Sequence, residues 1–147
     1  MTERGRHTVE VDRRALIRAA FAARENAYVP YSHFAVGAAL LARNGRVYTG
    51  CNIECATYTP TNCAERTALF KAVSEGVREF EAIAVVGARV DAPDDALVTS
   101  PCGVCRQMLF EFGGAQLLVI MAKSEADYIE MPLGQLLPLG FGPEKLL

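Results

Sequence analysis

The stretch TNCAERTALFKAVSEG, residues 61–76, has the pattern of an amphipathic helix. Its apolar residues recur at helical spacing, and Thr61 or Asn62 can cap its start. Cys63 and Glu65 both fall in the predicted first turn. An acid is favourable at any helix start because of the helix dipole, so Glu65 alone would indicate only the start of a helix. The thiol beside it is the feature that points to chemistry.

A second pair of thiols lies at the start of a later predicted helix, in residues 101–107 (PCGVCRQ). Cys102 and Cys105 are one turn apart on one helical face, and Pro101 suits a helix start. Such a pair alone fits a redox site, half of a zinc knuckle or two small core residues. Cys63 also lies at a helix start, so three thiolates could converge and supply three ligands of a tetrahedral zinc.

The sequence offers no convincing fourth zinc ligand, because His7 lies in a polar N-terminal segment and His33 is isolated. A structural zinc usually has four protein ligands, whereas a catalytic zinc has three and keeps one position for water. Glu65 is then predicted to accept the proton of that water. Zinc lowers the pKa of its bound water, and three thiolates oppose this lowering because they leave the site negative. Arg66 could offset that charge by donating hydrogen bonds to sulfur.

Composition bounds the class of protein. The chain of 147 residues fits one domain, 1–147, with residues 1–9 as a loose polar tail, and its 51% of hydrophobic residues allow a real core. The formal net charge of −2 and the lack of a basic run argue against a nucleic acid partner. No apolar run could span a membrane, and the N-terminus has no secretory signal. We therefore expect a cytoplasmic protein, in which five reduced cysteines favour metal binding or catalysis.

The other patterns predict alternating helices and strands, with an Asn44-Gly45 hairpin turn. The predicted elements are a helix at 12–28, strands at 34–42 and 46–53, a helix at 61–76, a strand at 80–87, a loop at 88–100, a helix at 101–112, a strand at 116–122, an edge strand at 128–131 and a helical turn at 134–137. This order indicates an α/β fold whose sheet is covered on both faces.

Asn52 and Glu54 are predicted to alternate on a strand, so that both side chains share one face. An amide and a carboxylate placed in this way could hold a hydroxyl group, although an exposed strand end is the simpler interpretation. By spacing alone, Phe34 is a core residue of a strand. Cys51 and Cys55 would be about 13 Å apart on a continuous strand, which is beyond the reach of a disulfide.

Together these motifs resemble the small zinc-dependent cytidine deaminases of the cytidine and deoxycytidylate deaminase superfamily. The resemblance covers nearly the whole chain and is carried by residues 31–34, 36–39, 50–54, 61–76, 101–107 and 136–143. It implies a three-layer α/β/α fold with a mixed five-stranded sheet, and a homotetramer. It also implies one Zn²⁺ per subunit on Cys63, Cys102 and Cys105. The chain departs from the family at Cys55, where asparagine is usual.

The resemblance further implies hydrolytic deamination of cytidine and deoxycytidine to uridine and deoxyuridine plus ammonia, by zinc-activated water, in pyrimidine salvage. Glu65 would carry protons to ring N3 and to the leaving amine. The implied substrate-binding residues are Phe34 at the base, the backbone of Ala64 at the pyrimidine edge, and Asn52 with Glu54 at the ribose 3′-hydroxyl. Three residues match positions that reach the site of a neighbouring subunit in the family, and these are Ala56, Tyr58 and Phe141.

Three other interpretations stay open at this point. One is a related zinc deaminase that acts on another cytosine-containing small molecule. A second is a nucleic acid editor, which is disfavoured because Glu54 would repel a phosphate at the 3′ position. The third is a structural zinc module or a redox protein without a substrate, in which Glu65 would have no function.

Overall fold

A computed structural model describes residues 9–93 and 97–147 of the chain. Its elements are α1 (Arg13–Arg24), β1 (Phe34–Ala42), β2 (Val47–Cys51), α2 (Ala64–Ser74), β3 (Phe80–Arg89), α3 (Gly103–Gly113), β4 (Leu118–Ala122), β5 (Tyr128–Pro132), α4 (Leu133–Leu136) and a final 3₁₀ turn (Pro143–Lys145). The predicted order of helices and strands is confirmed. His7 and all of the predicted tail at 1–9 except Val9 lie outside the described residues.

The five strands form one sheet in the order β2-β1-β3-β4-β5. Every neighbouring pair is antiparallel except β3 and β4, which are parallel. Parallel neighbours need a crossover connection, and α3 provides it. The predicted mixed five-stranded sheet is therefore confirmed.

The sheet lies between two helical layers. One core cluster joins α1 to one face through residues such as Ile17, Ala39 and Ile120. A larger cluster joins α2 and α3 to the other face through residues such as Leu69 and Leu109. The predicted three-layer α/β/α arrangement is confirmed, and α2 and α3 lie on the same side. In the described part of the chain, no helix combines the length and the apolar character needed to cross a membrane.

Two glycines allow helices to approach the sheet closely. A Cβ atom added at Gly50 of β2 would lie 2.5 Å from the backbone oxygen of Ala64 and 2.5 Å from the backbone nitrogen of Ala68. A Cβ atom at Gly37 of β1 would collide with the Ala20 carbonyl of α1. The start of α2 is thus pressed directly onto β2, which fixes its distance from the sheet.

Element boundaries differ from the predictions near the start of α2. Cys63 is the N-cap residue, without a side-chain cap bond, so neither Thr61 nor Asn62 caps this helix as predicted. The Asn62 amide donates instead to the hydroxyl of Thr67 at 3.0 Å. Asn62 bridges to Ile53 in the segment after β2, and Cys63 is extended rather than helical.

The prediction that Asn52 and Glu54 share one strand face was wrong. β2 ends at Cys51, because Ile53 leaves the β1 ladder and bridges to other segments. The distance argument against a disulfide assumed a continuous strand through Cys51 and Cys55, and therefore no longer applies. Both residues are nevertheless free thiols.

Two further boundaries moved. β3 continues to Arg89 rather than ending at residue 87, because its pairing with β1 extends to Phe34. α1 ends at Arg24, four residues earlier than predicted, and Tyr28 instead bridges to Ile53.

Gly50→Ala tests the contact between α2 and β2. The added methyl group must displace helix backbone, and overpacking of this kind typically costs about 1–3 kcal/mol. We expect a lower urea midpoint and, because the predicted zinc ligand Cys63 is the N-cap residue of α2, a lower zinc content.

Gly103→Ala is the matched control, because a Cβ atom there meets open space within the chain. Its urea midpoint should stay close to that of wild type. A Gly50→Ala protein as stable as the control would show that α2 can move without cost.

Candidate metal centre and active site

Two helix N-termini converge at one edge of the sheet. α2 begins after the end of β2 and α3 begins after the end of β3, and the start of β1 lies between them, since Phe34 pairs with Arg89. Cys63 and Cys102 are the N-cap residues of α2 and α3. The sequence predicted Cys63 and Glu65 in the same first turn, but Cys63 stands before the helix and Glu65 within it.

The three predicted cysteine ligands come together. The sulfur atoms of Cys63, Cys102 and Cys105 all lie within 4.8 Å of one another. The Sγ atoms of Cys63 and Cys102 are 3.8 Å apart. Sulfur ligands at about 2.3 Å from a tetrahedral zinc are about 3.8 Å from each other. The spacing and the all-sulfur donor set therefore fit zinc.

Thiolate character is favoured at Cys63. A hydrogen bond from the Cys105 thiol, together with Arg66, lowers the pKa of Cys63 to about 5. The same contact with Cys63 raises the pKa of Cys105. Binding of a divalent cation would require all three thiols to lose their protons, since metal ligands must be deprotonated.

Arg66 contacts the sulfur cluster. Its Nη2 atom donates to Cys63 Sγ at 3.4 Å. Its Nε atom is buried and has no hydrogen-bond partner among the described residues. A guanidinium in this position partly neutralises the thiolates, which is the effect predicted for it.

Glu65 lies in the first turn of α2 and is only 3% exposed. Burial raises the pKa of its carboxyl group to about 7, and the charge of Cys63 adds to the rise. A carboxyl group with a pKa near neutral can both accept and release a proton, as a general acid–base residue must. The backbone of Ala64, the other residue predicted in this turn, is fully buried between Cys63 and Glu65.

Phe34 stands at the start of β1, and 37% of the residue is exposed. It is therefore not the core residue that spacing alone suggested. Side chains alternate along a strand, so its ring is on the same face as Val36, which packs against the cluster below α2. Phe34 lines a cavity of ≈ 480 Å³ with Leu97, Val98 and Thr99, the segment that leads to Cys102.

Asn52 and Glu54 are both bonded to backbone groups near Phe34. The Asn52 side chain bonds to the Phe34 carbonyl and to the Val36 N–H. One oxygen of Glu54 accepts from the N–H groups of Tyr31 and Ser32, at 3.0 Å and 3.1 Å. Both residues therefore order the segment around the start of β1, and the second oxygen of Glu54 is left for other partners.

The residues predicted to reach another subunit lie on the surface of the chain. Ala56 is exposed, Tyr58 is 73% exposed and Phe141 is 56% exposed. Tyr58 meets Tyr31 edge-on, with ring centroids 6.0 Å apart. The Phe141 carbonyl accepts a hydrogen bond from Gln107 of α3 at 2.7 Å, which ties the C-terminal segment to the helix that carries Cys105.

Two arginines near the site were missed by the sequence analysis. Arg106 donates to the Pro101 carbonyl at 2.7 Å and to the Leu136 carbonyl at 2.8 Å, and so holds the residue before Cys102. Its place directly after the CxxC pair was an available signal. Arg24 donates to the carbonyls of Ala35 and Ala88 at 2.8 Å each. No local pattern marks it, because both partners are distant in sequence.

The chain is similar to proteins of known activity over most of its length. The zinc-binding region of the cytidine and deoxycytidylate deaminases matches residues 10–122. A cytidine deaminase from Sporosarcina psychrophila is 51% identical over 136 residues, which is 92% of this chain and 96% of that protein. The crystal structure of cytidine deaminase from Burkholderia pseudomallei has a TM-score of 0.79 and 50% identity, covering 86% of this chain and 97% of that one. The Mycobacterium tuberculosis cytidine deaminase structure has a TM-score of 0.77 and 42% identity, covering 90% and 99%.

Cys102→Ala tests the metal centre. Wild-type protein purified without chelator should contain about one zinc per chain by elemental analysis, and the variant should contain far less, because two thiolates form a much weaker site. Cys55→Ala is the control and should keep the zinc content of wild type. Equal zinc in Cys102→Ala and wild type would remove this residue from the ligand set.

Proposed function

Since this chain belongs to the cytidine and deoxycytidylate deaminase family, as its motifs predicted, we propose that it hydrolyses cytidine and deoxycytidine to uridine and deoxyuridine plus ammonia. The observation that carries the proposal is a three-cysteine cluster with a buried carboxyl group beside it, at two converging helix starts. Cys63, Cys102 and Cys105 would hold the zinc. When bound, zinc supplies a water molecule of lowered pKa as a nucleophile at neutral pH.

Glu65 is the proton carrier of the reaction. It accepts one proton of the attacking water and delivers it to N3 of the pyrimidine. It then takes the second proton, from the hydroxyl group added at C4, and delivers it to the amine, which leaves as ammonia. Its pKa near 7 suits transfer in both directions. Arg66 lowers the negative charge of the thiolates through its bond to Cys63, which favours loss of a proton from the water.

The remaining residues bind the nucleoside. Phe34 stacks on the base, and stacking of this kind contributes roughly 1–3 kcal/mol. Backbone groups at Ala64 hold the pyrimidine edge close to Glu65. The second carboxylate oxygen of Glu54 and the amide of Asn52 take the 3′-hydroxyl, since a carboxylate accepts and an amide can donate.

A free nucleoside is favoured over nucleic acid. The Ser32 side chain and the backbone N–H groups of Ser32 and Tyr31 lower the pKa of Glu54, so this carboxylate is charged at neutral pH. It would repel a phosphate at the 3′ position of a polynucleotide, and the chain has a net charge of −2. The pair of Asn52 and Glu54 also favours a cytosine compound with a free sugar over a cytosine compound without one.

The working form is a homotetramer in the cytoplasm. Exposed aromatic and aliphatic side chains are found in Tyr28, Ile53, Tyr58, Val104 and Phe141, and large exposed apolar residues mark interaction surfaces when they cluster. Ala56, Tyr58 and Phe141 would complete the site of a neighbouring chain. The free thiols agree with a reducing compartment.

Loss of ultraviolet absorbance by cytidine tests the activity directly, and Glu65→Gln tests the proton carrier. The variant keeps the size of the side chain and loses its ability to exchange a proton. We expect zinc content and thermal stability to persist while kcat falls by at least ~10²–10⁴-fold. Near-normal turnover by Glu65→Gln would leave Glu65 as an ordinary acid at a helix start.

Complementation between two variants tests the shared site. We expect a mass near four times 15.9 kDa by light scattering. Co-expressed Glu65→Gln and Phe141→Ala chains would form mixed assemblies in which roughly a quarter of sites have both residues intact. Activity should therefore exceed the average of the two separate variants. Activity equal to that average would mean that Phe141 serves its own chain.

A further inference from the structure

The Asn52 side chain is bonded to β1 where the β1–β2 ladder ends. Gly37 and Cys51 form the last register pair of these strands. Beyond it, Asn52 Nδ2 donates to the Phe34 carbonyl at 2.8 Å, and Asn52 Oδ1 accepts from the Val36 N–H at 2.9 Å. The amide therefore takes the place of a strand residue at this end of β1.

The chain after Asn52 cannot take over this pairing. Ile53 bridges to Tyr28 and Asn62 instead of to β1. The N–H of Phe34 donates to the Ser32 hydroxyl at 3.0 Å. Both backbone polar groups of Phe34 are thus held by side chains rather than by the sheet.

The ring of Phe34 lies against β3, beside this part of the β1 backbone. A Cβ atom placed on Gly87 would lie 3.1 Å from Phe34 Cε1, so the ring packs on the β3 backbone. The Thr99 hydroxyl, which donates to the Gly87 carbonyl at 3.2 Å, borders the same spot. With one side covered and 37% of the residue exposed, any shift of the β1 end changes the surface that the ring offers.

We propose that Asn52 is a positioning residue, which fixes the Phe34 ring for base stacking and so affects substrates that have no 3′-hydroxyl. The inference rests on the proposed function. The amide uses one N–H and one lone pair for its two bonds to β1 and keeps one N–H and one lone pair for a sugar. An effect confined to the sugar would vanish with a 2′,3′-dideoxynucleoside, whereas an effect through Phe34 persists.

The test is a double-mutant cycle on kcat/KM for deoxycytidine and 2′,3′-dideoxycytidine. Asn52→Ala should lower kcat/KM for the dideoxy substrate by at least about threefold, as expected for loss of an ordinary hydrogen bond. In a Phe34→Ala background, Asn52→Ala should lower the same kcat/KM by less than about threefold, because the two residues act as a unit. Two results would overturn the proposal. One is a fall of less than about threefold for the dideoxy substrate when Phe34 is present, and the other is an equally large fall in the Phe34→Ala background.

A second variant and a second measurement distinguish a loss of positioning from general misfolding of Asn52→Ala. Asn52→Asp keeps an acceptor for the Val36 N–H and loses the donor to the Phe34 carbonyl, and the same threshold applies to it. Amide exchange at Val36 should be faster in Asn52→Ala than in wild type, and equal exchange would contradict the anchoring.

Two comparisons separate this inference from the proposed function. Glu54→Gln should lose more kcat/KM on deoxycytidine than on the dideoxy substrate, which is the signature of a sugar contact. If the wild-type protein has no activity on cytidine, the proposed function itself is wrong. Active wild type with an Asn52→Ala effect restricted to deoxycytidine would remove only the positioning role.

Discussion

The approach of two helix starts to one edge of the sheet is the constraint on which the site depends. Three sulfur atoms within 4.8 Å of one another come from segments far apart in sequence. They meet because α2 and α3 cover the same face of the sheet and because each helix follows a strand that ends at the same edge. Glycine in β2 lets α2 lie against the sheet. A side chain at that position would shift Cys63 away from the other two sulfur atoms.

Electrostatic effects at this edge oppose one another. Three thiolates would concentrate negative charge and disfavour an ionised carboxylate. Burial, together with the charge of Cys63, raises the pKa of Glu65. Arg66 and the two helix dipoles act against that charge. The site therefore places a donor set that can hold a cation directly beside a buried, proton-carrying carboxyl group.

The sequence predicted what depends on local spacing and missed what depends on distant partners. The cysteines and Glu65 were identified because the Cys-Ala-Glu and CxxC motifs repeat a fixed chemical pattern, and the strands were found from runs of apolar residues. The end of β2 at Cys51 was missed, because the segment after it pairs with Tyr28 and Asn62. Arg24 was missed for the same reason, since its two carbonyl partners lie on different strands. Strand ends are set by long-range pairing, which a local pattern does not contain.

The site thus divides into two physically different halves. The predicted metal ligands and Glu65 stand at the starts of α2 and α3, whose backbones are fixed by packing on the sheet. Phe34, Asn52 and Glu54 stand where β1 and β2 stop, and side chains rather than a ladder hold the backbone there. Such bonds to a strand end are individually weak and can be exchanged one residue at a time. The proposed substrate-binding residues can therefore change at this end without disturbing the sulfur cluster, whereas a change at a helix start alters the proposed metal and proton-transfer site itself.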